Sequence, residues 1–204
     1  DGDLRGLTAA PCTPPEAISW IVGGSTALGS SAELRLTNPG TTSVTATIHL
    51  YGSVGEISLP SDGQVVVPPG KTMGVLLEAA GTDPRLALSL EAVGGTLVPA
   101  LVTESLDGET AAGTEVLTGG AAPATDLTIP GVALVDAADQ GETAPDAAAG
   151  APDSSDAPAV RLVNPGSETA TVSISMIGSD GEQSLPGADS VAVDPGAVFD
   201  VSLS

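Results

Sequence analysis

Aromatic residues are nearly absent. Trp20, Tyr51 and Phe199 are the only three in 204 residues. Carbohydrate sites usually stack sugars on aromatic faces, so this scarcity argues against a glycan platform. Cys12 is the one cysteine, which excludes an internal disulfide and any disulfide-built scaffold. It is read as an unpaired thiol, the alternative being a partner outside the chain. Basic residues are scarce too: five Lys and Arg stand against 26 Asp and Glu, a formal net charge of −21. Phosphate backbones are repelled by such a chain, so nucleic acid is not an expected partner. Anionic membrane surfaces are disfavoured for the same reason. The acidity itself is read as a solvated, solubilising surface. No apolar run approaches the ~18 residues of a membrane-spanning helix. The opening Asp1-Gly2-Asp3 lacks the basic and apolar regions of a signal peptide, so if the protein is exported its signal is removed or lies outside these residues.

What is abundant is Ala, Val, Leu, Gly, Pro, Thr and Ser, and it is arranged twice. The stretch 34–77 opens Leu34-Arg35-Leu36-Thr37-Asn38-Pro39-Gly40 and closes through Val65-Val66-Val67-Pro68-Pro69-Gly70. The stretch 160–203 opens Val160-Arg161-Leu162-Val163-Asn164-Pro165-Gly166 and closes through Val191-Ala192-Val193-Asp194-Pro195-Gly196. At a constant offset of 126, 20 of the 45 positions from Leu34 to Glu78 are identical, which marks an internal repeat. The identities fall on turn formers and core residues, so the repeat encodes a shared fold.

Period-two alternation runs through both copies. Leu34 and Leu36 alternate with Glu33 and Arg35; Val44, Ala46, Ile48 and Leu50 point inward and Thr45, Thr47, His49 and Tyr51 outward. Further strands are expected over 19–22, 56–59, 64–67, 71–78, 86–93 and 97–105, with Trp20 as a core plug and Gly94-Gly95 as a tight hairpin turn. No helical periodicity persists over about 11 residues. Short strands at turn spacings of ~8–12 residues indicate an all-β protein of two tandem immunoglobulin-like β-sandwich domains. Domain 1 is placed at 1–116 and domain 2 at 117–204. In domain 2 a first strand is expected over 127–135. Residues 136–158 form an acidic, low-complexity insertion, read as a disordered loop within domain 2. Counterparts of 86–93 and 97–105 are lacking before Ser204. Since an open sheet edge is a pairing hazard, the second sandwich is expected to be incomplete at its C-terminal end in a fragment of a longer protein, the alternative being that another segment completes the sheet.

Chemistry-bearing groups are few. His49, the sole histidine, lies on an outward strand face with no acid or nucleophile at a meaningful local spacing, and is read as a surface residue. Asp62-Gly63, Asp107-Gly108-Glu109 and Asp180-Gly181-Glu182 resemble calcium turns superficially. Calcium needs several converging oxygens, and single Asp-Gly pairs between strands are ordinary turn chemistry. The acids of the insertion (Asp136, Asp139, Glu142, Asp146, Asp153, Asp156) have irregular spacing. No Gly-rich loop leads from strand to helix, so no nucleotide site is expected. Asn38 and Asn164 each precede Pro, which blocks N-glycosylation. No catalytic, cofactor-binding or metal residues are assigned.

The element Leu-x-Leu-x-Asn-Pro-Gly, alternating strand, Gly-x-x-Gly, Val-x-Val-x-Pro-Gly resembles modules of bacterial cell-surface proteins. With Trp20, Leu36-Thr37-Asn38-Pro39-Gly40, Val65-Val66-Val67-Pro68-Pro69-Gly70, Leu162-Val163-Asn164-Pro165-Gly166 and Val193-Asp194-Pro195-Gly196, it is similar to the actinobacterial exported family DUF5719. The nearly Lys-free, Ala-, Gly-, Asp- and Val-rich composition is similar to exported proteins of high-GC actinobacteria. The resemblance implies an extracellular or envelope location and supplies no catalytic residues. The expected function is a non-enzymatic envelope spacer or interaction module whose partner is another envelope protein. The competing readings are a glycan- or calcium-binding module and an accessory domain of a larger envelope enzyme.

Overall fold

The computed structural model describes residues 8–132, 159–179 and 181–203. Alternation becomes nine antiparallel strands in the first copy: β1 (Ile18–Val22), β2 (Ser30–Thr37), β3 (Val44–Gly52), β4 (Gly55–Ile57), β5 (Gln64–Val67), β6 (Thr72–Leu76), β7 (Ala87–Val93), β8 (Val98–Asp107) and β9 (Thr110–Thr118). One sheet runs β1-β7-β3-β4, with β5 also on β3; the other runs β6-β2-β8-β9. Leu34, Leu36 and Leu101 from the second sheet meet Ala46, Ile48, Leu50, Leu88 and Leu90 from the first, all buried in one core. Each buried Leu or Ile contributes about 1.5–3 kcal/mol of transfer free energy. The chain is all-β, as its periodicity indicated, and its first copy is a two-sheet sandwich.

Three expectations change here. Gly94-Gly95 is not a hairpin turn. Both edges of β7 are taken by β1 and β3, and β8 lies between β2 and β9, so the connection crosses from one sheet to the other. The strand β9 was not anticipated, because its apolar residues are mostly small. It ends at Thr118, two residues past the boundary placed at 116, and Leu117 packs on the first core. Trp20 is not a plug of that core. The register of β1 turns Ser19 and Ile21 inward and Trp20 outward.

The second copy forms β10 (Ala159–Val163), β11 (Ala170–Val172), β12 (Ser175–Gly178), β13 (Gly181–Ser184), β14 (Val191–Val193) and β15 (Val198–Ser202). Its pairings repeat the first copy's residue for residue. Val160 faces Val201 as Leu34 faces Val75, and Ala170 faces Val193 as Val44 faces Val67. One strand of the first copy, β3, becomes two here, β11 and β12. In the first copy β7 supports β3 along Thr45–Tyr51, and among the described residues the second copy has no such strand. The strand expected over 127–135 does not form within 127–132: Leu127, Ile129 and Val132 are exposed, and residues 133–135 lie outside the described residues. The insertion 136–158 lies outside them as well.

Candidate functional surface: the junction of the two copies

Asn-Pro-Gly does more than turn the chain. Asn38 is completely buried. Its carboxamide donates to the carbonyls of Thr42 (2.8 Å) and Val67 (2.9 Å) and accepts from the Gly40 amide (2.9 Å). Since β2 and β5 belong to different sheets, this side chain clips the sandwich together at one end. Asn164 repeats the arrangement on Glu168 (2.7 Å), Val193 (2.9 Å) and Gly166 (3.0 Å). The recurrence of Asn, never Asp, is the sequence signal for this role: only the amide can donate twice and accept once.

The copies differ where they touch. In the first, Thr37 and Thr72 sit side by side on an exposed face, their hydroxyls 2.9 Å apart. The equivalent pair in the second is Val163 and Val198. Val198 is 1% exposed because the outer face of the first sandwich covers it: Val198 joins Tyr51 and Ala87 in a buried cluster, with Trp20 and Val163 packed alongside. Tyr51 points outward by strand alternation and is nevertheless only 9% exposed. Trp20 and Tyr51 stack, ring centroids 5.8 Å apart and planes 15° from parallel. Both rings thus serve the junction, a role outside the core-plug reading of Trp20.

Polar contacts fix the geometry. Arg161 makes a two-pronged pair with Asp200 (2.7 and 2.8 Å) and donates its remaining nitrogen to the Gly24 carbonyl across the junction (2.7 Å). The first copy holds Gly74 where Asp200 stands, and its Arg35 pairs with Glu33 on its own strand, exposed. Asp83 accepts from the Ser53 hydroxyl (2.7 Å) and the Arg85 amide (2.9 Å), and Arg85 then lies over the Phe199 ring, 5.9 Å from its centroid. Gly52 bridges Ala197 in parallel. Beside it, a Cβ on Gly196 would lie 3.1 Å from the Glu56 amide nitrogen; the equivalent Gly70 has open space.

Burial pushes the Tyr51 phenol above its ordinary range; a hydrogen bond with Ser89 opposes this, and the carboxylates of Glu56 and Glu91 reinforce it. His49 bonds Glu56 (2.8 Å), both side chains exposed. Asp62 lies in the short 3-10 segment Pro60–Gly63, Asp107 ends β8, Asp180 is outside the described residues, and Cys12 is exposed. Among the described residues no three His, Cys, Asp or Glu side chains converge, and no helix is long and apolar enough to cross a membrane. A shallow depression of about 470 Å³ lies against β15; its one carboxylate, Asp200, is held by Arg161.

No curated protein matches the chain. A solved structure from Thermotoga maritima, titled "Crystal Structure of Thermotoga maritima 1070", is similar at 14% identity and a TM-score of 0.42, over 53% of this chain and 96% of that one. The profile described as "Family of unknown function (DUF5719)" matches residues 1–204. The chain belongs to the DUF5719 family of unknown function.

Proposed function

We propose that this chain is a non-enzymatic, exported component of an actinobacterial cell envelope. Its tandem immunoglobulin-like units act as a short spacer and present strand edges and loops to another envelope protein. The observation that carries this reading is the junction. The Thr37–Thr72 pair of the first copy is replaced by Val163 and Val198 in the second, and Gly74 by Asp200, and the replacements hold one unit against the other. A chain built for a fixed distance needs such a junction; a chain built for turnover needs converging reactive groups instead. The net charge of −21 suits a solvated surface that avoids indiscriminate contact with anionic polymers.

Fractionation of the cells that naturally produce the protein is expected to place it in the envelope or the medium. Recovery in the cytoplasm contradicts export. Calorimetric titration of the purified chain with calcium and with cell-wall glycan fragments is expected to be flat, and incubation with those glycans to release no product. Saturable heat would favour a ligand-binding module, and product release an enzyme.

A further inference from the structure

The second unit repeats the first only in part, and what it lacks is specific. In the first unit, β8 covers the edge of β2, and β7 covers the edge of β3. Among the described residues, no strand pairs with the matching edge of β10 or of β11 and β12. The inward side chains register the difference. Leu34, Leu36, Ala46, Ile48 and Leu50 are buried, whereas their counterparts Val160, Leu162, Val172, Ile174 and Met176 are only half-buried. Leu127 and Ile129, on the segment expected from sequence as the counterpart of β1, are exposed with no strand beside them among the described residues. The open edges are those that β8 and β7 cover in the first unit.

We propose that the second unit is a strand acceptor. Its two open edges take a pair of strands joined by a crossing connection, apolar at alternate positions in the pattern of residues 86–105, supplied by a partner protein. The first unit supplies the register. Leu101 opposite Leu34 sets an apolar donor residue opposite Val160; Leu90 opposite Ile48 and Leu88 opposite Leu50 set two more opposite Ile174 and Met176. Backbone pairing would give the affinity and these alternate side chains the selectivity. Other occupants fit poorly. Residues 136–158 contain no Leu, Ile, Val, Met or aromatic residue. A second copy of the chain brings another −21 charges against the first, and like charge opposes that association.

The inference rests on the reading of the chain as an interaction module, and its test is independent of glycan turnover, calcium binding and cell fractionation. The chain is extended so that Leu203 is followed by residues 78–105 of its own first unit, which restores the natural spacing. Amide hydrogen exchange over 159–163 and 170–178 is expected to slow by about tenfold or more relative to the unextended chain. The same extension carrying L88D, L90D and L101D in the added segment is expected to leave exchange there unchanged. Two results would overturn the proposal. One is equal exchange with and without the apolar extension. The other is an unextended chain whose 159–163 amides already exchange as slowly as those of β2 in a concentration-dependent way, which would make a second copy the occupant.

Discussion

At the scale of single residues, the repeated amino acids stabilise the fold and the unrepeated ones set the contact. Asn38 illustrates the first. Its replacement by Asp keeps the shape and the acceptor but removes both donors, leaving the Thr42 and Val67 carbonyls without their partner. Asn38→Asp is expected to destabilise the first unit by about 2–4 kcal/mol in urea titration, since each buried unsatisfied group costs roughly 1–3 kcal/mol. Gly196 is itself repeated, and shows how the contact adds a demand to a residue that the fold already requires. Both Gly70 and Gly196 have φ near +65°, at 64° and 68°. An alanine at either position carries the left-handed penalty of about 1–2 kcal/mol. At Gly196 it must also displace the Glu56 backbone, so Gly196→Ala is expected to cost measurably more than Gly70→Ala in the same denaturation experiment.

Tyr51 gives a spectroscopic handle, because it is the only tyrosine. Its phenol is held above the ordinary value of 10.0 by burial first. A raised folded-state pKa means that the folded protein holds this proton more tightly than the unfolded chain. The associated stability is therefore complete below pH 10 and is lost as pH rises through the folded-state value. The tyrosinate absorbance of the native protein is expected to titrate above that of the urea-unfolded chain. A coincident titration would show that the second unit does not cover Tyr51.

At the scale of elements, β10 and β15 reuse the hydrogen-bond register of β2 and β6 and change mostly their outer face. Reverting that face with Val163→Thr and Val198→Thr restores the first unit's exposed pair. The double variant is expected to lose about 1–3 kcal/mol of stability through lost apolar burial and buried hydroxyls. The fluorescence of Trp20 is expected to move to longer wavelength as the junction loosens. An unchanged spectrum and unchanged stability would mean that the face carries no contact.

The legibility of the fold follows the same division. Strands β2 and β3 could be read because one face of each is buried and period-two alternation reports that directly, while the shorter strands were bounded by Gly and Pro turns. The small apolar residues of β9, Ala111 and Ala112 among them, give alternation little amplitude. The crossing at Gly94-Gly95 could not be told from a hairpin, because Gly-Gly serves either and strand partners are a tertiary property. Leu127 and Ile129 have the pattern of a strand without a strand beside them. The junction was legible only as differences: Thr37 and Thr72 against Val163 and Val198 stand in plain sight at an offset of 126, but their meaning depends on which outer faces meet. Alternation placed Tyr51 outward correctly and said nothing of what would cover it.

At the scale of the whole molecule, the account holds that duplication supplied the architecture and divergence supplied the junction, so that the two units form a continuous body. Tyr51 in the first unit and Val198 in the second then share one buried cluster across that junction. A double-mutant cycle with Tyr51→Ala and Val198→Ala tests this most directly, because the residues are linked only if the units dock. The account expects a coupling free energy within the roughly 0.5–3 kcal/mol found for residues in contact. Strict additivity, with each substitution costing the same whether or not the other is present, would contradict it.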